Sequence, residues 1–161
     1  MFDSPTLIYQ ENRDGTMITG KSWKPFNMEA DMLYTVTSEK ELEQACTDLQ
    51  EAVNKRSFGV MAVHNLKETM TKKGVDFDRE CRVFEVCNPH QAKKVLEQQM
   101  AISTALPCRI SVYRDNDQVT LGTIKPTMML QMFEAEGLAS VAEEVEQVMV
   151  ESMIEAAKPA R

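Results

Sequence analysis

The sequence has few of the residues from which catalytic and metal-binding motifs are usually built. Its 161 residues include two histidines, four cysteines and one tryptophan, and no Cys-x-x-Cys pair occurs. The sequence also lacks three common motifs. Without Gly-x-Ser-x-Gly it does not predict a nucleophile elbow, and without a Gly-rich loop it does not predict a phosphate-binding site. Without His-Glu-x-x-His it does not predict the zinc site of a metalloprotease. We expect no metal and no other cofactor. The sequence leaves catalysis open and favours a protein that is not an enzyme.

Positive charge and long apolar runs are also in short supply. Lysine and arginine number 18 against 25 acidic residues, a formal net charge of −7, which argues against nonspecific binding to nucleic acid or to anionic membranes. No apolar run approaches the roughly 20 residues that span a bilayer. Residues 1–5 form neither a basic nor an apolar stretch, so no secretory signal is predicted. Four scattered cysteines then suggest reduced thiols and a cytoplasmic protein.

The pattern of apolar residues predicts one α+β domain over residues 32–157, preceded by an arm (1–31) and followed by a tail (158–161). The predicted order of elements is β-α-β-(α)-β-α-β-β-α, which gives an antiparallel or mixed sheet packed against helices. In the arm, Asp14-Gly15 is a turn signal between two short extended runs, residues 6–10 and 16–19, as in a hairpin. Trp23, Pro25 and Phe26 form an apolar spot suited to docking the arm.

Local patterns add details that a structure can test. Residues 57–63 carry apolar side chains on both faces, which indicates an interior strand. Ser38 followed by Glu41 predicts a capping box at the start of the first helix, and Asn65 with Glu68 predicts a similar pair at the next. The acidic residues of the last helix predict a solvated face.

The stretch around Cys87 carries the strongest local signals. Asn88 is a good N-cap and Pro89 suits the first helical turn, so a helix is predicted to start there. Cys87 then precedes a helix N-terminus, where the dipole favours a thiolate and a lowered pKa. The sequence nevertheless favours the other interpretation, in which Cys87, like many free cysteines at strand ends, is a small apolar residue of the core.

Four residues are candidates for a ligand-binding cleft. They are His64, Cys87, His90 and Cys108. The Cys87-x-x-His90 spacing resembles that of metal ligands, but the four residues come from strand and helix ends, unlike the ligands of a compact zinc ribbon. Cys87 and Cys108 are in addition the candidates for a catalytic thiol pair.

Several short motifs resemble those of the domain of unknown function 302 family, over about residues 32–157. They are Phe58-Gly59-Val60, Gly74, Val86-Cys87-Asn88-Pro89, Ala92, Leu106-Pro107-Cys108-Arg109-Ile110-Ser111-Val112-Tyr113 and Pro126. The resemblance implies a compact α+β fold, similar to the arrangement of the TATA-box-binding protein, and a tendency to form dimers. It implies no particular activity, and it does not cover residues 1–31.

Three hypotheses of function follow from the sequence. The first is a domain that binds or senses a small molecule, forms a homodimer, and has its cleft near Cys87, His90 and Cys108. The second is a thiol-based redox or sulfur-handling protein in which Cys87 is the nucleophile and Cys108 resolves the intermediate. This second hypothesis requires an exposed sulfur of low pKa. In the third, the arm and the acidic last helix serve assembly with a partner.

Overall fold

The computed structural model describes residues 10–11, 17–18, 31–135 and 137–159. Within these residues the chain has the predicted α+β architecture, in which one antiparallel five-stranded sheet packs against helices. The strands are β1 (Gln10–Glu11), β2 (Met17–Ile18), β3 (Leu33–Ser38), β4 (Gly59–Asn65), β5 (Cys81–Cys87), β6 (Cys108–Asp115) and β7 (Gln118–Ile124). The helices are α1 (Leu42–Lys55), α2 (Leu66–Lys72), α3 (Pro89–Gln98), α4 (Pro126–Gln131) and α5 (Ala139–Ala157). A 3₁₀ helix at Met100–Ala105 was not predicted.

The main sheet has the strand order β3-β7-β6-β5-β4, and every neighbouring pair is antiparallel. Burial alternates along β6 and β7, so one face of the sheet packs into the core. The core residues of that face and of the helices on it include Leu42, Leu49, Phe84, Val86, Ile110, Val112, Leu121, Met149 and Met153. The central strands and the two long helices, α1 and α5, therefore share one core.

The short N-terminal strands β1 and β2 pair with each other and form a separate antiparallel ladder. Gln10 faces Ile18 and Glu11 faces Met17. The predicted turn at Asp14-Gly15 and the apolar spot with Trp23 lie outside the described residues. So do most of the predicted arm and residues 160–161 of the tail.

The prediction of an interior strand at residues 57–63 is wrong. Among the described strands, β4 pairs only with β5 and forms an edge of the sheet. Its two-sided apolar pattern leaves Met61 66% exposed and Val63 45% exposed. A shift in register between Val60 and Ala62 marks a bulge, which commonly turns an edge strand away from regular pairing.

The predicted capping box at Ser38 is also wrong. Ser38 belongs to β3, where its buried hydroxyl donates a hydrogen bond to the carbonyl oxygen of Ala157 at 3.0 Å. Glu41 takes the N-cap position of α1 without a side-chain cap bond. The hydroxyl ties the end of α5 to the sheet, and that tertiary contact outweighs the local capping pattern.

The predicted pair of Asn65 and Glu68 is confirmed. Asn65 caps α2 by accepting a hydrogen bond from the backbone N–H of Glu68 at 3.0 Å. Gly74 follows that helix with φ +74°, the left-handed conformation in which a side chain is unfavourable. Asn116 and Asp117 both have positive φ and connect β6 to β7, as a tight hairpin turn requires.

The sequence pattern predicted that the acidic residues of α5 form a solvated face. In the structure, several of them instead contact neighbouring helices. Glu155 pairs with Lys55 at 3.0 Å and with Arg56 at 2.8 Å, both on α1. Glu146 accepts a hydrogen bond from the backbone N–H of Thr127 in the first turn of α4, at 3.0 Å. These acidic side chains help to position α5 against its neighbours. No helix in the described part of the chain is long and apolar enough to cross a membrane.

Candidate functional site

An apolar cavity lies where α3, α4, α5 and the 3₁₀ helix meet the ends of β5 and β6. Its volume is about 40 Å³. The wall is formed by Phe58, Val86, Cys87, Asn88, Gln91, Ala92, Val95, Ile102, Ala105, Leu106, Cys108, Pro126, Met129, Leu130, Val141, Ala142 and Val145. Apart from Asn88 and Gln91, these side chains are aliphatic, aromatic or sulfur-containing, so the cavity can hold a small apolar group.

Asn88 fixes the start of α3 beside this cavity, as the sequence predicts. Its Oδ1 accepts hydrogen bonds from the backbone N–H groups of His90 at 2.9 Å and Gln91 at 3.1 Å. Its Nδ2 donates to the carbonyl oxygen of Ser57 at 2.9 Å. One side chain therefore satisfies two free donors of the helix and joins the helix to the segment before β4.

Cys87 and Cys108 both line the cavity, and Cys87 does not have the lowered pKa that its position before a helix N-terminus suggested. Burial raises the pKa of the Cys87 thiol. Burial, with a smaller contribution from Cys87, raises the pKa of Cys108 to about 11. The prediction of a lowered pKa is wrong because desolvation opposes the thiolate, while Asn88 already accepts hydrogen bonds from the first N–H groups of α3. All four cysteines of the chain are free.

We expect Cys87 and Cys108 to react slowly with a thiol reagent in the native protein at pH 7, because the thiolate is the reactive form. The rate at Cys108 should rise with pH up to about 11. Peptide mapping of alkylated protein across pH measures both rates. The variants Cys87→Ala and Cys108→Ala assign the signals. Rapid labelling of either cysteine at pH 7 would contradict the expectation.

The raised pKa of Cys108 also predicts how stability depends on pH. An unfolded thiol loses its proton near pH 8.5, whereas the folded Cys108 holds it until about pH 11. Between these values the unfolded chain binds fewer protons, so the free energy of unfolding falls as the pH rises. Urea unfolding at several pH values tests this, because the fall should be less steep in Cys108→Ala.

The two histidines that the sequence singled out do not line this cavity. His64 lies on β4, and its Nε2 is 3.2 Å from Oε1 of Glu85 on the neighbouring strand. The same oxygen is 3.5 Å from Nη2 of Arg109, so the three side chains form a cross-strand group. His90 is exposed in the first turn of α3. The structure thus brings together Cys87 and Cys108 of the four predicted residues.

Gln91 is a residue of the cavity that sequence reasoning missed. Its Nε2 donates a hydrogen bond to Oε2 of Glu144 on α5, at 2.7 Å. Its Oε1 is buried and accepts no hydrogen bond from the described residues. A glutamine in the first turn of a helix is ordinarily solvated, so no sequence signal distinguished it. Its contact with Glu144 depends on the packing of α5 against α3.

The geometry does not place metal ligands together. Among residues 31–135 and 137–159, no group of three or more His, Cys, Asp or Glu side chains is arranged to hold a metal ion. Cys87 and Cys108 face an apolar wall, while His64 and His90 lie elsewhere. The chemistry that the cavity supports is therefore the burial of a small apolar group.

The fold and the cavity define a small α+β domain with an apolar pocket between its sheet and three helices. The chain belongs to the DUF302 family, whose description is "Domain of unknown function DUF302" and whose sequence model matches residues 34–157. The structure is similar to the crystal structure of an uncharacterized conserved protein DUF302 from Bacillus stearothermophilus. The two chains share 28% sequence identity with a TM-score of 0.75, and the alignment covers 80% of this chain and 99% of that chain. No match is found among curated protein sequences.

Proposed function

We propose that this protein is a non-enzymatic binding or sensing domain that holds a small, mainly apolar molecule in the cavity beside Cys87 and Cys108. The observation that carries the proposal is the cavity itself, which is lined by side chains from α3, α4, α5 and the sheet. Burial of apolar ligand surface supplies the binding free energy, at about 25 cal/mol per Å². The proposal does not involve His64 or His90, although the sequence analysis placed both of them at the cleft.

The walls of the cavity support binding because they are held from several sides. Val86 and Ile102 are 1% and 0% exposed, and Val95 is 5% exposed. Ala142 of α5 is 2% exposed on the opposite wall. Close-packed walls of this kind do not collapse readily, so a preformed space for a ligand persists.

The experiment uses xenon as an apolar probe, because xenon enters dry apolar cavities. Protein labelled with ¹⁵N is exposed to xenon under pressure, and amide chemical shifts are recorded. We expect saturable shifts at Ala92, Val95 and Ala105. The variant Ala105→Leu should abolish them by filling the cavity. Ala101→Leu is the matched control, since Ala101 belongs to the same 3₁₀ helix but is exposed.

Two results would count against this proposal. One is the absence of saturable shifts in the native protein, and the other is unchanged shifts in a folded Ala105→Leu variant. If Ala105→Leu does not fold, Ala92→Leu fills the same space from α3 and provides the same comparison.

The alternative function is thiol-based redox or sulfur chemistry with Cys87 as nucleophile and Cys108 as resolving cysteine. The two cysteines line the same cavity, which favours this alternative. The raised pKa of both thiols disfavours it, because such a nucleophile needs a thiolate near neutral pH. The labelling rates described above therefore decide between the alternatives. Free thiols at all four positions agree with a reducing, cytoplasmic location for either.

We further propose that the protein forms a homodimer through the edge strand β4. The edge leaves backbone N–H and C=O groups without a partner strand among those described, and such groups pair readily with another chain. Met61 and Val63 add exposed apolar surface at that edge. Sedimentation of the samples used for the xenon experiment reports the oligomeric state.

A further inference from the structure

The surface that the cavity exposes is almost entirely apolar, although two of the residues that line it have amide side chains. Asn88 uses both ends of its amide, since Oδ1 accepts two backbone hydrogen bonds and Nδ2 donates one. Nε2 of Gln91 donates to Glu144 on α5, and its Oε1 is buried with almost no surface accessible to water. Neither amide therefore offers a free polar atom to an occupant of the cavity.

The two cysteines of the wall are also uncharged and only weakly polar. Burial raises the pKa of both thiols, so Cys87 and Cys108 stay protonated at neutral pH. A neutral thiol is a weak hydrogen-bond donor and packs as a small apolar group. An occupant therefore meets these side chains mainly through dispersion contacts.

A wall of this kind selects against polar and charged occupants. A hydroxyl that moves from water into an apolar site without a partner loses its hydrogen bonds, which is unfavourable. A charged ligand would lose more, because none of the described residues that line the cavity is Lys, Arg, His, Asp or Glu. Water is disfavoured for the same reason, since a buried water molecule typically makes about three hydrogen bonds.

The volume of the cavity limits the size of the occupant. About 40 Å³ is well below the ~150 Å³ of an apolar cavity that holds benzene. The enclosed part of a ligand is therefore smaller than an aromatic ring.

We propose that the ligand of this cavity is a nonpolar molecule without any hydrogen-bonding group and smaller than an aromatic ring. Short hydrocarbons, small thioethers and dissolved nonpolar gases belong to this class. The inference rests on the binding function proposed above, and it narrows a mainly apolar ligand to one that is nonpolar throughout. Short alcohols, amides and amines are excluded from the class.

The test compares isobutane with 2-propanol, which have the same branched skeleton of non-hydrogen atoms and differ by a methyl group against a hydroxyl. Each is added to ¹⁵N-labelled full-length protein, isobutane as a gas under pressure. Its dissociation constant is taken from the amide shifts at Ala92, Val95 and Ala105. We expect isobutane to bind at least about tenfold more tightly, because the hydroxyl of 2-propanol finds no partner in the cavity.

A variant that adds a hydroxyl to the wall should weaken this preference. Val145 lines the cavity and is half-buried on α5. In Val145→Thr the preference for isobutane should fall at least about threefold, because the new hydroxyl can pair with that of 2-propanol. Val148 is also half-buried on α5 but does not line the cavity, so Val148→Thr is the matched control and should keep the native preference.

Benzene tests the size limit. We expect no saturable shifts when benzene is added to the native protein, whereas Met129→Ala should bind it because that variant removes a side chain from the wall. Met128 is half-buried on the same helix and does not line the cavity, so Met128→Ala is the control and should not bind benzene.

The outcomes separate this inference from the proposed function. Equal affinities for isobutane and 2-propanol in native protein that binds xenon would overturn the nonpolar class and leave the cavity as a binding site. Saturable binding of benzene to the native protein would overturn it as well. Absence of binding by xenon and isobutane alike would overturn both proposals. All three results are read on the native protein, so they stand even if a variant does not fold.

Discussion

Replacing Phe84 by alanine is expected to lower the free energy of unfolding by about 3–5 kcal/mol, the usual cost of removing a buried aromatic ring. Phe84 is 2% exposed and lies on the interior strand β5, with Ile110 opposite it on β6. Its ring occupies the face of the sheet that packs against α1 and α5. Much of the domain's stability would be lost, since small domains are only marginally stable.

The neighbouring residue Val83 is the control for this substitution. It lies on the same strand but points to the other face and is only half-buried. Urea unfolding of Phe84→Ala and Val83→Ala should therefore show a much larger loss for the first. Similar losses in the two variants would mean that the opposite face of the sheet is as well packed as the core.

Replacing Asn88 by alanine is expected to cost about 2 kcal/mol, the upper end of the range for an N-cap. The variant loses the acceptor for the N–H groups of His90 and Gln91, and it also leaves the carbonyl oxygen of Ser57 without its donor. Because Asn88 fixes the first turn of α3 at the cavity, binding of the xenon probe should weaken as well. Thermal unfolding and the xenon titration measure the two effects.

Asn65→Ala is the matched control for this second prediction. Asn65 caps α2 in the same way, but it does not line the cavity, and both of its side-chain bonds are to Glu68 and not to a distant segment. We expect it to cost less than Asn88→Ala and to leave xenon binding unchanged. If Asn65→Ala weakened xenon binding equally, the effect would reflect general destabilisation and not the position of α3.

The elements that follow a local rule could be predicted from the sequence. Asn88 and Pro89 start α3 because a cap and a fixed φ act within a few residues. Gly74 after α2 and the Asn116-Asp117 turn between β6 and β7 have positive φ and follow local rules of the same kind. The family resemblance over the domain was likewise visible in short motifs and is confirmed over residues 34–157.

What could not be predicted depends on contacts between distant parts of the chain. Ser38 was predicted to cap a helix, but its hydroxyl donates a hydrogen bond to the carbonyl oxygen of Ala157. Apolar residues on both faces of β4 suggested an interior strand. Such residues do not show whether a strand has a neighbouring strand on each side, and β4 has one only on the side of β5 among the described strands. The position of Cys87 before a helix suggested a lowered pKa, but burial by neighbouring elements raises the pKa of its thiol. Gln91 gave no signal at all, since Glu144 lies on a helix some fifty residues further along.

The cavity draws its wall from a long span of the chain, from Phe58 before β4 to Val145 in α5. During synthesis, therefore, the wall is incomplete until the last helix has left the ribosome and packed against the sheet. A ligand in this cavity would therefore act only on chains in which α5 has been synthesised and packed, and not on shorter nascent chains. Its concentration would then set how long a completed domain survives proteolysis, because a bound molecule withdraws the folded state from the unfolding equilibrium.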